Sequence, residues 1–178
     1  TMDDGTIKNK EYFLASRKSI DELRCVTHEY TKPDACMIAL YHVDEKTKEV
    51  SMMITTQYRE PLGTYMTSMP AGLVDSDDKD IADTARREAL EEAGVLLDDI
   101  EILAPASTTS SGMSDEMNAM VLARISGFAN NALEEFEDIT ANLVPLRKIK
   151  EMLVDSKYII PIHTRLTMLY LIERFGIK

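Results

Sequence analysis

The chain has 178 residues, of which 44% are hydrophobic and 29% charged, a balance that suits one globular domain with a sizeable core. Its formal net charge of −11 speaks against non-specific binding to nucleic acid or to an anionic membrane surface. No apolar run nears the roughly 18 residues of a membrane span and no secretory signal is recognisable, so the expectation is a cytoplasmic protein without a membrane partner.

Taken in chain order, residues 12–15 and 24–28 read as two short strands joined by a charged turn, a hairpin ahead of the main body. Residues 35–41 and 50–58 read as longer strands around the turn Glu45-Lys46-Thr47-Lys48. A loop at Pro70-Ala71-Gly72 follows, and then a helix from about Asp80 to Ala93, stopped by Gly94. Strands are expected near residues 100–104, 117–124 and 138–143, and two amphipathic helices near 146–155 and 162–175 close the chain. Strands around one central helix, with helices at the end, argue for an α/β sandwich rather than a doubly wound sheet. Cys25 and Cys36 lie eleven apart in apolar surroundings, which suggests a buried reduced pair and neither a metal site nor a disulfide framework. His28, His42 and His163 are scattered without metal-ligand spacing.

The central helix carries the chemistry. Ile81, Ala82, Ala85, Ala89 and Ala93 share one face at 100° per residue; Glu92 projects within that face and Glu88 stands at its edge one turn earlier. Ionised carboxylates among small core-facing residues are costly unless a cation answers them. Two of them at i and i+4 suit a divalent ion, and oxygen-only ligands favour Mg²⁺ or Mn²⁺ over zinc. Arg87 points away from this face and can pair with Glu91. Eight acidic residues against three basic ones lie between Asp75 and Glu92, so much of the negative charge is local to this segment.

Gly72 together with Arg87-Glu88-Ala89-Leu90-Glu91-Glu92-Ala93-Gly94 resembles the Nudix box: a glycine, a glutamate, then Arg-Glu-x-x-Glu-Glu-x-Gly. Two departures stand in the loop between, where one residue is extra and Asp77 or Asp78 takes the place of the glutamate. Gln57-Tyr58-Arg59 with Pro61, and Met69-Pro70-Ala71-Gly72-Leu73-Val74-Asp75, are similar to the ADP-ribose pyrophosphatase branch; Ser68 stands where that branch has glutamate. Ser110-Ser111-Gly112-Met113-Ser114-Asp115-Glu116 resembles a further segment of that branch, with Ser111 in place of proline, and Glu134-Glu135-Phe136-Glu137-Asp138-Ile139 matches its Glu-x-Glu-Asp-Ile loop.

The resemblance implies an α/β/α sandwich with a mixed sheet over residues 31–178, with residues 1–30 as an N-terminal β-hairpin extension that serves a homodimer. It implies Mg²⁺ or Mn²⁺ held by Glu88, Glu92, Glu137 and the Ala71 carbonyl. Glu135 would be the general base, with Glu91 as the next candidate, and Arg87 would belong to the catalytic helix. Arg59 could hold a diphosphate in bidentate fashion or serve a salt bridge. Gly112, Met113, Ser114 and Glu116 would contact the substrate, Met113 at a base pocket. The implied reaction is metal-dependent hydrolysis of ADP-ribose to AMP and ribose 5-phosphate. A different nucleoside diphosphate sugar, or a ligand sensor without turnover, stay open as alternatives.

Overall fold

The computed structural model describes Gly5, residues 11–130 and residues 138–177. Its frame is a seven-stranded mixed sheet built from β1 (Ala35–Val43), β2 (Val50–Arg59), β3 (Thr64–Ser68), β4 (Ala71–Leu73), β5 (Val95–Thr108), β6 (Met117–Phe128) and β7 (Ile139–Pro145). Four helices accompany it: a short α1 (Arg24–Thr27), α2 (Ile81–Ala93), α3 (Leu146–Met152) and α4 (Ile162–Arg174). Alternation along β1 sorts the core into two layers. Cys36, Ile38 and Leu40 face α2, where they meet Ala85 and Ala89. Met37 and Ala39 face the other way, onto Leu146 and Ile149 of α3 and Met168 and Leu171 of α4. This is the expected α/β/α sandwich.

The connection of β1 to its neighbours positions the site. One edge of β1 pairs in parallel with β6 from Ala35↔Asn118 to Tyr41↔Arg124. Its other edge is divided, pairing with β2 only over Tyr41–Val43 and with β4 over Ala35–Met37. Beyond that short ladder β2 leaves β1 and takes β3 as its partner from Thr55↔Ser68 to Arg59↔Thr64. The chain then crosses from β3 to β4 through buried Met69 and Pro70, whose carbonyl accepts from the Ile38 N–H at 2.8 Å. Where a loop is expected at Pro70–Gly72, Ala71–Leu73 form β4, a strand too short to show a period of its own.

The N-terminal hairpin is replaced by a different structure. Ala15 makes a single bridge to Ser114, and residues 24–27 form one helical turn that ends on His28 in the left-handed region. The reason lies in Arg24. Its guanidinium is buried, donating to the carbonyls of Glu29, Lys32 (2.7 Å) and Asp115 (2.9 Å) and to Asp34 Oδ2 (2.8 Å). A turn gathers those acceptors around one side chain, and an extended strand would not. Asp34 also accepts from Lys18 and from the Met117 N–H (2.8 Å); burial raises its carboxyl pKa, but Arg24 first, then Lys18 and the Met117 N–H, hold it below the usual range. The cysteines are also not a buried pair: Cys36 is buried and Cys25 exposed.

Candidate active site

Helix α2 begins at Asp80, whose carboxylate accepts from the N–H groups of Ala82 and Asp83 (2.9 and 3.0 Å), and ends at Gly94 with φ of 62°. Both signals were legible in the sequence, and they fix the rotation of the helix. Glu88 and Glu92 are therefore buried, at 9% and 7% exposure, on the side facing β4. The Ala71 N–H donates to Glu92 Oε2 at 3.2 Å. A Cβ on Gly72 would stand 1.8 Å from Glu88 Cδ, so only glycine lets β4 lie against that carboxylate.

Arg87 does not point away from this face. Its guanidinium turns back over the loop before the helix and donates to the Leu73 carbonyl (2.8 Å) and to Asp78 from Nε (3.2 Å) and Nη2 (2.9 Å). It donates as well to Glu88 Oε1 (2.6 Å) and to the expected partner Glu91 (3.1 Å). Of the two aspartates offered for the box glutamate, Asp78 is the one that Arg87 bonds. Arg87 beside it, aided by the Asp75 N–H and the Thr84 hydroxyl, brings its carboxyl down to about 2 against the effect of burial. The same contacts raise the Arg87 pKa above its already high ordinary value. Arg87 thus orients Glu88 and ties the loop to the helix.

These side chains line a cleft of about 600 Å³, closed by Gln57 and Arg59 at the end of β2, by Arg17, and by Glu116 and Asn118 at the start of β6. Arg59 is exposed and has no ion pair among the described residues. Glu91 lines the cleft while paired to Arg87. A second groove of about 820 Å³ adjoins along Leu73–Ser76 and runs beneath residues 15–18 and Ser114. Gly112 and Met113 are not brought to either hollow. Their carbonyls accept from the Tyr12 hydroxyl (3.1 Å) and the Ala15 N–H (2.8 Å), bracing the N-terminal segment, and the Met113 side chain is exposed. Glu116 pairs with Arg17, a cation 99 residues away that no motif announces.

A smaller pocket of about 200 Å³ shares Gln57, Arg59, Ala71, Glu92, Glu116 and Asn118 with the cleft and is lined in addition by His163. The Ser68 hydroxyl lies 3.1 Å from that of Thr164, a contact that joins β3 to the start of α4, and within α4 the Thr167 hydroxyl donates to the His163 carbonyl at 2.9 Å. Burial lowers the His163 pKa, which favours the neutral imidazole. Asn118 Oδ1 is buried and accepts no hydrogen bond from a described residue. Cys36, paired in register with Gly72, has its thiol pushed up to about 12 by burial and by Glu88 and Asp78, and is no nucleophile.

Glu135 and Glu137 lie outside the described residues. Among those described, no group of three His, Cys, Asp or Glu side chains converges as a ready cage. Mg²⁺ commonly takes one or two protein carboxylates and completes its shell with water and substrate phosphate. Two buried carboxylates one turn apart, one of them packed directly on Gly72 of β4, fit that demand.

Comparison with known families matches residues 32–161 to the NUDIX domain, nearly three-quarters of the chain. The chain belongs to the Nudix family. Among Nudix relatives, Nudix hydrolase 14, chloroplastic, of Arabidopsis thaliana is 26% identical over 145 residues, covering 70% of this chain and 47% of its own length. The chain thus spans about half the length of that curated relative. A crystal structure of an ADP compounds hydrolase superposes with a TM-score of 0.61 at 15% identity, over 82% of this chain and 77% of its own, and shows the shared Nudix fold. No helix among the described residues is long and apolar enough to cross a membrane.

Proposed function

We propose that this Nudix hydrolase cleaves the diphosphate linkage of a nucleoside diphosphate derivative, with ADP-ribose the leading candidate and AMP and ribose 5-phosphate the products. The observation that carries this reading is the contact of Gly72 with buried Glu88, which commits two carboxylates to one wall of a nucleotide-sized cleft. The structural likeness to an ADP compounds hydrolase and the Gln57-Tyr58-Arg59 segment support the choice of substrate class.

Glu88 and Glu92 would hold Mg²⁺ or Mn²⁺ with the Ala71 carbonyl. An ion held there would supply a lowered pKa to bound water and would offset charge on the diphosphate. Arg87 keeps Glu88 in place, and Asp78 keeps Arg87 in place. Arg59, across the cleft, binds the diphosphate with its guanidinium fork. Glu135 takes the proton from the attacking water and Glu137 adds a metal ligand, as the family resemblance implies; Glu91 is the next candidate for the base. Exposed Tyr12, Phe13, Ile20, Val26 and Tyr30 on the N-terminal segment support a homodimer, to be read by light scattering at micromolar concentration.

The experiment is product analysis on a panel of ADP-ribose, ADP-glucose, UDP-glucose and GDP-mannose, with Mg²⁺ or Mn²⁺ and with chelator. AMP released from ADP-ribose, and lost with chelator, is the expected result. Preference for another member would move the assignment to a different nucleoside diphosphate sugar. Absence of all turnover would leave a ligand sensor.

A further inference from the structure

At the cleft end of β2, side chains lace three strands together on the face turned away from the site. Gln57 and Arg59 line the cleft, so Tyr58 between them points to the other side of the sheet. There it stands opposite Tyr65 of β3, with the two rings in edge contact at 5.4 Å and 77°. The Tyr65 hydroxyl donates to Asp138 Oδ2 at 2.6 Å, on the residue just before β7. Residues 55–57 of β2 have β3 on one edge and β7 on the other, so this bond crosses over β2. It also raises the Tyr65 pKa, which keeps the phenol protonated and the donor of the pair. Pairing of β2 with β7 ends at Gln57↔Ile139. Among the described residues, Tyr58 and Arg59 therefore ladder with β3 alone, as the projecting end of a hairpin. Arg59 closes that strand, its carbonyl accepting from the Leu62 and Gly63 N–H groups, both at 2.9 Å.

We propose that Tyr65 is a positioning residue for Arg59: its bond to Asp138 fixes the projecting end of the β2–β3 hairpin, and with it the place where the guanidinium meets a diphosphate. The proposal rests on the nucleoside diphosphate reading above. Tyr65 itself touches no substrate and acts from the opposite face of the sheet. Arg59 makes no ion pair among the described residues, so its backbone has the larger part in aiming it. A guanidinium fork binds two oxygens at once only when it is presented at one angle. Removing the hydroxyl leaves the edge contact of the rings in place and frees the hairpin end to sway. The loss should therefore fall on diphosphate binding, with little effect on the stability of the fold.

The test is calorimetric titration with α,β-methylene ADP and Mg²⁺, a probe whose diphosphate is not cleaved, so that binding is read without turnover. Tyr65→Phe should weaken binding about fivefold, the scale of one lost hydrogen bond, with the unfolding temperature within about 3 °C of wild type. Asp138→Ala should match it and carries the measurement if Tyr65→Phe does not fold. Asp138→Asn, whose amide oxygen still accepts, should recover most of the affinity. The deciding background is Arg59→Ala: with the guanidinium gone, Tyr65→Phe should cost less than about a further 1.5-fold. A wild-type protein that does not bind the probe, or a Tyr65→Phe variant of unchanged affinity, would overturn the proposal. So would an equal loss in the Arg59→Ala background, since the bond would then serve another group. Hydrolysis of nucleoside diphosphate derivatives by a protein in which Tyr65→Phe binds normally would remove the positioning role and leave the hydrolase reading standing. A loss of affinity that depends on Arg59, in a protein without hydrolysis, would do the reverse.

Discussion

Gly72→Ala isolates the contact on which the site depends. The added Cβ would meet Glu88 Cδ at 1.8 Å and its two oxygens at 2.0 and 2.1 Å. Ordinary carbon contacts begin near 3.5 Å, so the carboxylate must retreat by about 1.7 Å. It is the end of a flexible side chain, so the backbone of β4 stays and the carboxylate moves. That movement breaks the 2.6 Å bond from Arg87, a charge-assisted contact in the range of about 1.5–3 kcal/mol. Replacing glycine at a compatible backbone position returns about 0.4–1 kcal/mol through the unfolded state. The net loss of stability is then about 1–2 kcal/mol, whereas a ligand displaced by more than 1 Å should lower turnover by about 10² or more. Thermal unfolding without metal and steady-state kinetics over a Mg²⁺ titration read the two effects separately. In a Glu88→Ala background the clash is gone, so Gly72→Ala should be neutral or slightly stabilising and should cost no further activity. Turnover of the single variant within threefold of wild type, or an equal stability cost in both backgrounds, would refute the reasoning.

Glu92→Gln should lower turnover by about 10² while leaving the unfolding temperature near wild type, since the amide oxygen can still accept from the Ala71 N–H; kinetics paired with thermal unfolding check both halves. Arg24→Met strips three carbonyls and Asp34 of their buried donor and should cost about 3 kcal/mol in denaturant unfolding, although Arg24 lies well before the matched domain. Asp78 has a folded-state pKa depressed to about 2, so its contribution is complete above the unfolded value of about 4 and fades as pH falls from 4 to 2. After allowance for solvent screening the contribution is about 1–2 kcal/mol. Asp78→Asn should therefore unfold more easily than wild type at pH 7, and the gap should close across that acid window; a gap unchanged between pH 4 and 2 would remove Asp78 as its source.

What the sequence made legible was local. The helical face of α2 follows from Ile81, Ala85 and Ala89 recurring at helical spacing, its ends from Asp80 and Gly94, and the inward turn of Glu88 and Glu92 from the same rotation. The apolar run over residues 35–41 announced β1, though not the division of Cys36, Ile38 and Leu40 from Met37 and Ala39 between two layers. What escaped was set by distant partners. Apolar residues near Arg24 suggested a strand, but its bonding partner Asp115 lies 91 residues away. Arg87 had an evident partner at i+4, while the link to Asp78 depended on a loop whose length departs from the family pattern. His163 joins Glu92 around one pocket only because Ser68 and Thr164 bring α4 onto β3, and no spacing along the chain announces that.

The divided edge of β1 has a mechanical consequence. Only three residue pairs, Tyr41↔Met52, His42↔Ser51 and Val43↔Val50, join β1 directly to β2. The two halves of the sheet meet there as the arms of tongs meet at a rivet. At the free ends of the arms stand Arg59 on one side and Glu88 and Glu92 on the other, with the crossing at Met69 and Pro70 as a tether between. A ligand that reaches from Arg59 to the carboxylates spans the free ends and restrains their opening, while the rivet was never free to move. Amide exchange should slow on ligand binding along Gln57, Arg59 and Ala71–Leu73, and stay unchanged at Tyr41–Val43. Affinity and stiffness in this fold are thereby properties of the same gap.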